Sequence, residues 1–275
     1  MAARSLEALY SGCTLPFQLV VVDGATPEPY RREMKAVLDG RPNVEFVTHP
    51  GYLLPNKARR LGTEKATGDL ILYLENDCLI RPGAVEALVA LAADYPAGVA
   101  VPWLWEKTAR HHDSSAVKVE RLPDGTLRLH AEKEPLKLEG GRRPVEFFEH
   151  HCFLITRPAL AILGTGDEEL NTREAIEISV AAWSAKIPVI LEPAAQVEFH
   201  APPPVCADER DFFDYRWDPK RADESHERVS SRWKIVDMPG TYDFVREQML
   251  RKSHATWALI RARSLLRRIR DWVAK

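Results

Sequence analysis

Cysteine is scarce and scattered in this chain. Cys13, Cys78, Cys152 and Cys206 stand far apart, and none belongs to a CxxC pair. That spacing excludes a zinc knuckle and a disulfide framework, so a reducing, cytoplasmic compartment is expected. Long hydrophobic runs are missing too. No stretch approaches the ~20 apolar residues of a membrane span, and the N-terminus has no apolar signal core. The 14 glycines form neither a G-x-G-x-x-G turn nor a P-loop, which removes two common phosphate cradles. Net charge is only −2, so bulk charge gives no basis for a nucleic-acid partner. There is no internal repeat and no low-complexity tract.

The remaining composition is that of a globular enzyme: 275 residues, 45% hydrophobic and 28% charged. One large domain over residues 1–200 is expected. Ala201-Pro202-Pro203-Pro204 fits neither a helix nor a central strand and marks its boundary. A Pro- and aromatic-rich segment, 201–240, follows, with Asp211 to Lys234 a candidate acceptor-side lid. The charge is uneven: from Thr241 onward nine basic residues face three acidic ones. Residues 241–275 read as a basic amphipathic helix with Trp257 and Trp272 among its arginines. Such a helix suits peripheral contact with an anionic membrane, or the packing of its apolar stripe on the domain.

Strands alternate with helices along the first hundred residues. Ala2 to Tyr10 is helical in spacing, and Phe17 to Val22 is a β-prone run of the kind buried on both faces of a parallel sheet. Helices over Glu28–Leu38, Asn56–Ala66 and Ala84–Asp94 interleave with strands at Val44–Val47, Leu70–Leu74 and Gly98–Val101. This order calls for an α/β fold, a Rossmann-type mostly parallel sheet flanked by helices. Ala116 to His130 alternates about Pro123-Asp124-Gly125 and predicts an inserted β-hairpin. Val145–Thr156 returns to strand, Arg157–Leu160 opens a short helix, and Thr172–Lys186 is a helix with Ile176, Val180 and Trp183 inward. Val189–Leu191 and Val197–His200 are extended.

Gly68-Asp69-Leu70-Ile71-Leu72-Tyr73-Leu74-Glu75-Asn76-Asp77 organises the rest. Alternation along a strand puts Glu75 and Asp77 on one side, at the carboxyl end where open α/β sheets bind ligands. Two oxygen donors there suit Mg²⁺ or Mn²⁺ shared with a diphosphate; equally, Asn-Asp is ordinary turn chemistry. The adjacent pairs His111-His112 and His150-His151 project to opposite faces in a strand, which argues against one ion taking both. Trp103, Trp105, Phe147 and Phe148 read as core or pocket walls.

In order along residues 6–200, these motifs resemble the family-2 glycosyltransferases of the GT-A fold. Phe17 to Gly24 is similar to that family's second strand, whose closing Asp helps hold the nucleotide base. Asn56-Lys57-Ala58-Arg59-Arg60-Leu61-Gly62 followed by Gly68-Asp69 is similar to its Ala-Arg-Asn-x-Gly helix and Gly-Asp strand start. Glu75-Asn76-Asp77 occupies the place of the Asp-x-Asp metal motif. Glu174-Ala175-Ile176-Glu177-Ile178-Ser179 lies where the family has Glu-Asp-x-Asp-Leu-Ser, and Glu192-Pro193 and His200 match its closing strand and histidine. The family's first strand has no counterpart, since the chain begins at the first helix. Arg60 takes an Asn place, and Ala175 replaces the usual base.

The resemblance implies sugar transfer from a nucleotide-sugar to a saccharide or lipid-linked acceptor, metal-dependent and inverting. It places Asp23, Lys57, Arg59, Asp69 and Glu75 at the donor. The divalent cation falls to Asp77 and Glu75, with His200 completing its shell or touching the diphosphate. Glu174, beside the vacant base position, and Glu177, three residues on and on the same helical face, are the candidate bases; a solvated face pairing with Arg173 is the plain alternative. Ala175 and the missing strand also fit a catalytically inactive relative that binds or assembles.

Overall fold

The computed structural model describes residues 1–106, 117–131, 138–200 and 209–238. Helix α1 (Ala2–Gly12) leads into β1 (Leu19–Gly24), α2 (Glu28–Leu38), β2 (Val44–His49), α3 (Pro55–Lys65) and β3 (Leu70–Leu74). Next come β4 (Cys78–Ile80), α4 (Ala84–Asp94) and β5 (Val99–Glu106), then the hairpin β6 (Val117–Arg121) and β7 (Leu127–Ala131). The chain continues with β8 (Arg143–Pro144), β9 (Cys152–Thr156), α5 (Arg157–Leu163), α6 (Glu174–Ala185) and β10 (Val189–Phe199). After the undescribed residues 201–208 come α7 (Arg210–Arg216), α8 (Pro219–Trp233) and β11 (Ile235–Asp237).

Local chemistry sets several boundaries. Prolines stand at the first or second position of α3, α5 and α8, where a missing N–H has no helical partner to lose. The Thr156 hydroxyl accepts from the Ala159 amide and the Asp218 carboxylate from the Arg221 amide, so two of these starts are capped. In β10, Pro193 lies where the register slips between Glu192 and Gln196, so the two extended segments expected from the sequence form one bulged strand.

The large sheet has the order β3-β9-β5-β10-β4, with β8 on β10. Strands β3, β5 and β10 run the same way: β9 is antiparallel to both β3 and β5, and β10 is parallel to β5. Strands β1 and β2 form a parallel pair of their own. The Gln18 side chain, just before β1, binds the Thr67 amide and the Lys65 carbonyl ahead of β3. The approaches to the two strands are therefore held together. Among the described residues β1 bonds only β2, and its side chains are half-buried where burial on both faces was expected. Among the described residues its second edge has no partner strand.

The two faces of the sheet are read directly from β9. Cys152 and Leu154 pack with Leu88, Leu91 and Val197 on one side; Phe153 and Ile155 pack with Trp103, Ile178 and Leu191 on the other. A third core lies under the hairpin. There β11 pairs with β7 in parallel, and Leu127, Leu129, Val180 and Val229 are buried together. Each such side chain contributes about 2 kcal/mol on burial. The hairpin is thus tied to the segment after residue 209. The chain boundary at Ala201–Pro204, His111-His112, Cys206 and the basic tail lie outside the described residues.

Candidate active site

Three strand ends meet at the tip of β3. The Glu75 amide donates to the His151 carbonyl at 2.9 Å, and the His200 amide to the Asp77 carbonyl at 2.9 Å. The acidic tip is thereby fastened to the start of β9 and the end of β10. Strand β4, unforeseen in the sequence, follows at once and pairs antiparallel with β10.

Glu75 is fully engaged. Its Oε1 accepts from Arg59 Nη2 at 3.3 Å, and its Oε2 meets His151 Nδ1 at 2.7 Å. Arg59 also donates to Asn56 Oδ1 at 2.8 Å and reaches the His150 carbonyl. Burial pushes the Glu75 carboxyl up, but the His151 and Arg59 charges outweigh it and hold it below the ordinary range. Burial likewise favours a neutral His151 ring, and Glu75 overrides it, raising the imidazole to about 9. Asp77 is different: burial, then the neighbouring Glu75 charge, lifts it to about 7. The Phe199 ring stacks on His151 with centroids 3.8 Å apart.

The neighbouring His150 is 4% exposed, sits among Phe148 and Phe153, and is held neutral chiefly by burial. The two histidines lie in the turn before β9, not in a strand, and have different surroundings. One of them nevertheless belongs to the site. A carboxylate oxygen of Asp77, the Cys78 sulfur and a ring nitrogen of His151 all lie within 4.8 Å of one another. This donor set fits a divalent cation. Among the described residues it is the one such cluster, and it includes neither Glu75 nor His200. Glu75 is occupied by its two cations, and His200 turns Nε2 toward Glu198 Oε2 at 3.5 Å.

Other expected residues spread out. Asp23 lies near the end of β1, nearly inaccessible, holding Arg31 at 2.8 Å and the Thr26 amide at 2.9 Å. Lys57 and Arg59 share α3, and Arg59 alone reaches the tip. Asp69 enters β3 at the far end from Glu75, exposed, with its carbonyl accepting from the Arg157 amide. Six extended residues span roughly 20 Å, so Asp69 is not part of this cluster.

Glu174 and Glu177 open α6, and both are buried rather than solvated. Arg216 donates to Glu174 Oε1 at 2.9 Å and to the Asn171 carbonyl. Glu177 accepts from Arg232 at 2.8 Å and from the Asp167 amide at 2.8 Å. The Asp167 carbonyl in turn accepts from Asn56 Nδ2 at 3.0 Å. A polar chain thus runs from Glu75 through Arg59, Asn56 and Asp167 to Glu177. Beside it Tyr52 meets Phe212 and Tyr215 of α7, with ring centroids 5.4 and 5.5 Å apart. Phe147, Phe148 and Trp103 are core, and Trp105 donates to Gln196 at 3.1 Å.

His151, Asn56 and Arg216 were missed in the sequence. The signal for His151 was the pairing of β9 with β3, in which Leu74 faces Cys152 and so brings His151 beside Glu75.

A sequence model of the family described as "Glycosyl transferase family 2" matches residues 1–161. No curated protein matches the chain. Among solved structures, GalNAc-T7 with UDP, GalNAc and Mn²⁺ superposes with a TM-score of 0.55 at 16% identity, over 72% of this chain and 40% of that one. Residues 1–349 of S. aureus TarS in complex with UDP-GlcNAc give 0.54 at 15% identity, over 81% of this chain and 62% of that one. The chain thus spans less than two thirds of either. The likeness establishes the fold: a mixed α/β sheet flanked by helices, as in the GT-A glycosyltransferases.

Proposed function

The chain belongs to glycosyl transferase family 2, and from that premise we propose that it transfers a sugar from a nucleoside diphosphate to an acceptor hydroxyl, with inversion and with a divalent cation at the tip of β3. One observation carries the reading: the Asp77 carboxylate stands beside His151 and Cys78 where the ends of β3, β9 and β10 converge. The ion's contribution, when bound, is to neutralise charge on the departing diphosphate. Asp77 would hold it. Arg59 keeps the tip in place, Lys57 adds positive charge along α3, and the turn set by Asp23 faces the nucleotide base. His200, tied to Asp77 through the backbone, is assigned to the diphosphate.

In a single displacement the acceptor oxygen bonds to the anomeric carbon as the bond to the diphosphate oxygen breaks. The hydroxyl proton passes to a carboxylate, and the nucleoside diphosphate leaves. We assign the proton to Glu174. It shares Arg216 with the site, since the same guanidinium helps lower Glu75. Glu177 is committed to Arg232 and the Asp167 amide and serves to fix the start of α6. Tyr52, Phe212 and Tyr215 line the acceptor side, which suits a saccharide or lipid-linked acceptor. The basic, tryptophan-bearing sequence of 244–273 supports membrane contact, tested by liposome co-sedimentation with and without the residues after Met249.

The neighbours solved with UDP and UDP-GlcNAc point the first trials at uridine diphosphate sugars. The full chain with a panel of nucleotide-sugars and Mn²⁺ is expected to release one nucleoside diphosphate. A chain that neither binds nor consumes any of them is not a transferase. One observation favours a second reading, a relative that binds donor without turnover: Ala175 at the usual base position, with Glu174 held by Arg216. Saturable binding with no release in the same assay would select it.

A further inference from the structure

The role of His151 follows from what surrounds it. Glu75 already accepts from Arg59, and a carboxylate has no hydrogen to give. The 2.7 Å contact with Glu75 therefore commits the Nδ1 hydrogen to the carboxylate, and Nε2 is the nitrogen that a cation can take by displacing its proton. Stacking on Phe199 fixes the plane of the ring. An imidazole with one nitrogen donating to a carboxylate is the usual arrangement of a ligating histidine. A ring nitrogen of this histidine lies within 4.8 Å of the Asp77 carboxylate.

We propose that His151 is a protein ligand of the cation alongside Asp77, that Glu75 orients His151 instead of touching the ion, and that the nitrogen donor makes the site prefer Mn²⁺ or Co²⁺ to Mg²⁺. The ion itself rests on the function proposed above. The preference is chemical: Mg²⁺ is hard and oxygen-seeking, whereas imidazole suits first-row transition metals. An acidic tip with both carboxylates on the ion would show a smaller bias and no nitrogen bonded to the metal. Here the first carboxylate is spent on a histidine and an arginine, and the histidine takes its place.

The test is Mn²⁺ uptake by the full chain in the presence of UDP, followed by electron paramagnetic resonance, with Mg²⁺ as competitor. Bound Mn²⁺ in the unaltered protein should show spin-echo modulation from a directly bonded ¹⁴N, a reading that needs no variant and no turnover. Mn²⁺ should bind at least about 10-fold tighter than Mg²⁺. His151→Gln should lose the ¹⁴N signal and weaken Mn²⁺ by about 10- to 100-fold, bringing it level with Mg²⁺. His200→Gln should keep the signal. If Asp77→Asn abolishes uptake while His151→Gln retains both affinity and ¹⁴N, the ion stands and the ligand assignment is wrong. Loss of ¹⁴N in His200→Gln alone would likewise move the ligand to His200. No uptake by the unaltered protein would remove the cation from the proposed function and this inference with it.

Discussion

Arg216 donates to Glu174 across 2.9 Å and joins α7 to the first turn of α6. The same guanidinium charge also helps to lower Glu75, so one side chain acts on both the acidic tip and the proposed base. Two substitutions separate the roles. Glu174→Gln keeps an acceptor for Arg216 and removes the base; turnover is expected to fall on the order of 100- to 10,000-fold, with a stability loss smaller than that of Arg216→Met. Arg216→Met leaves Glu174 nearly buried and unpaired, which costs about 3 kcal/mol in urea unfolding. Unchanged turnover in Glu174→Gln would return the base to another group.

Asn56 is fully buried and uses both ends of its amide, accepting from Arg59 and donating to the Asp167 carbonyl. Asn56→Ala strands a carbonyl and one guanidinium hydrogen away from water, at a cost of about 3 kcal/mol. Because Arg59 then loses the partner that aims it, donor affinity should weaken alongside stability. Asn56→Asp keeps the acceptor for Arg59 but loses the donor to Asp167, and should recover donor binding more than folding. Equal loss of both properties in the two variants would make Asn56 a packing residue only.

Gly166 packs against that same asparagine. Its φ is +87°, and an added Cβ would strike Asn56 Nδ2 and lie 2.9 Å from Glu177 Oε2. Gly166→Ala should therefore cost well over the ~1–2 kcal/mol of a left-handed alanine alone. Gly40, at φ +70° with nothing within 4 Å, isolates the backbone share. Denaturant midpoints of the two alanine variants should differ clearly. Similar midpoints would show that Asn56 and Glu177 give way.

What could be read from sequence was set by short-range pattern. The run Leu70–Leu74 and the helices Glu28–Leu38 and Ala84–Asp94 fall where periodicity places them, because their apolar spacing and flanking residues agree. Strand β4 was invisible: three residues are too few for a period, and only β10 gives them a partner. The site divided in the same way. The resemblance located Glu75 and Asp77, but the partners that settle their roles come from β9, α3 and α7, far off in sequence. Adjacency in the chain argued against His151; adjacency across β3 and β9 brings it in. Asp69 was placed at the donor by motif order alone, which carries no length scale; the strand sets it at the far end of β3 from the tip.

The two titrating groups at the tip make stability fall with rising pH when no ion is present. Asp77, raised from 3.8 to about 7 by burial and then by Glu75, is ionised in the unfolded chain over an interval in which the fold keeps it protonated. Its contribution is fully present below pH 3.8 and is lost as pH climbs through 7. His151, raised from 6.5 to about 9 by Glu75 against the opposing effect of burial, contributes below 6.5 and loses that contribution through 9. Glu75 acts in the other direction, because its lowered carboxyl supplies stability above 4.5 that vanishes in acid. In EDTA the melting temperature should therefore peak near pH 5 and decline toward pH 9, by a free energy on the order of a few kcal/mol. Asp77→Asn should flatten the part of the slope between pH 4 and 7, and His151→Gln the part between 6.5 and 9. A melting temperature that climbs steadily from pH 5 to 9 would mean that neither group is held as the tip holds it.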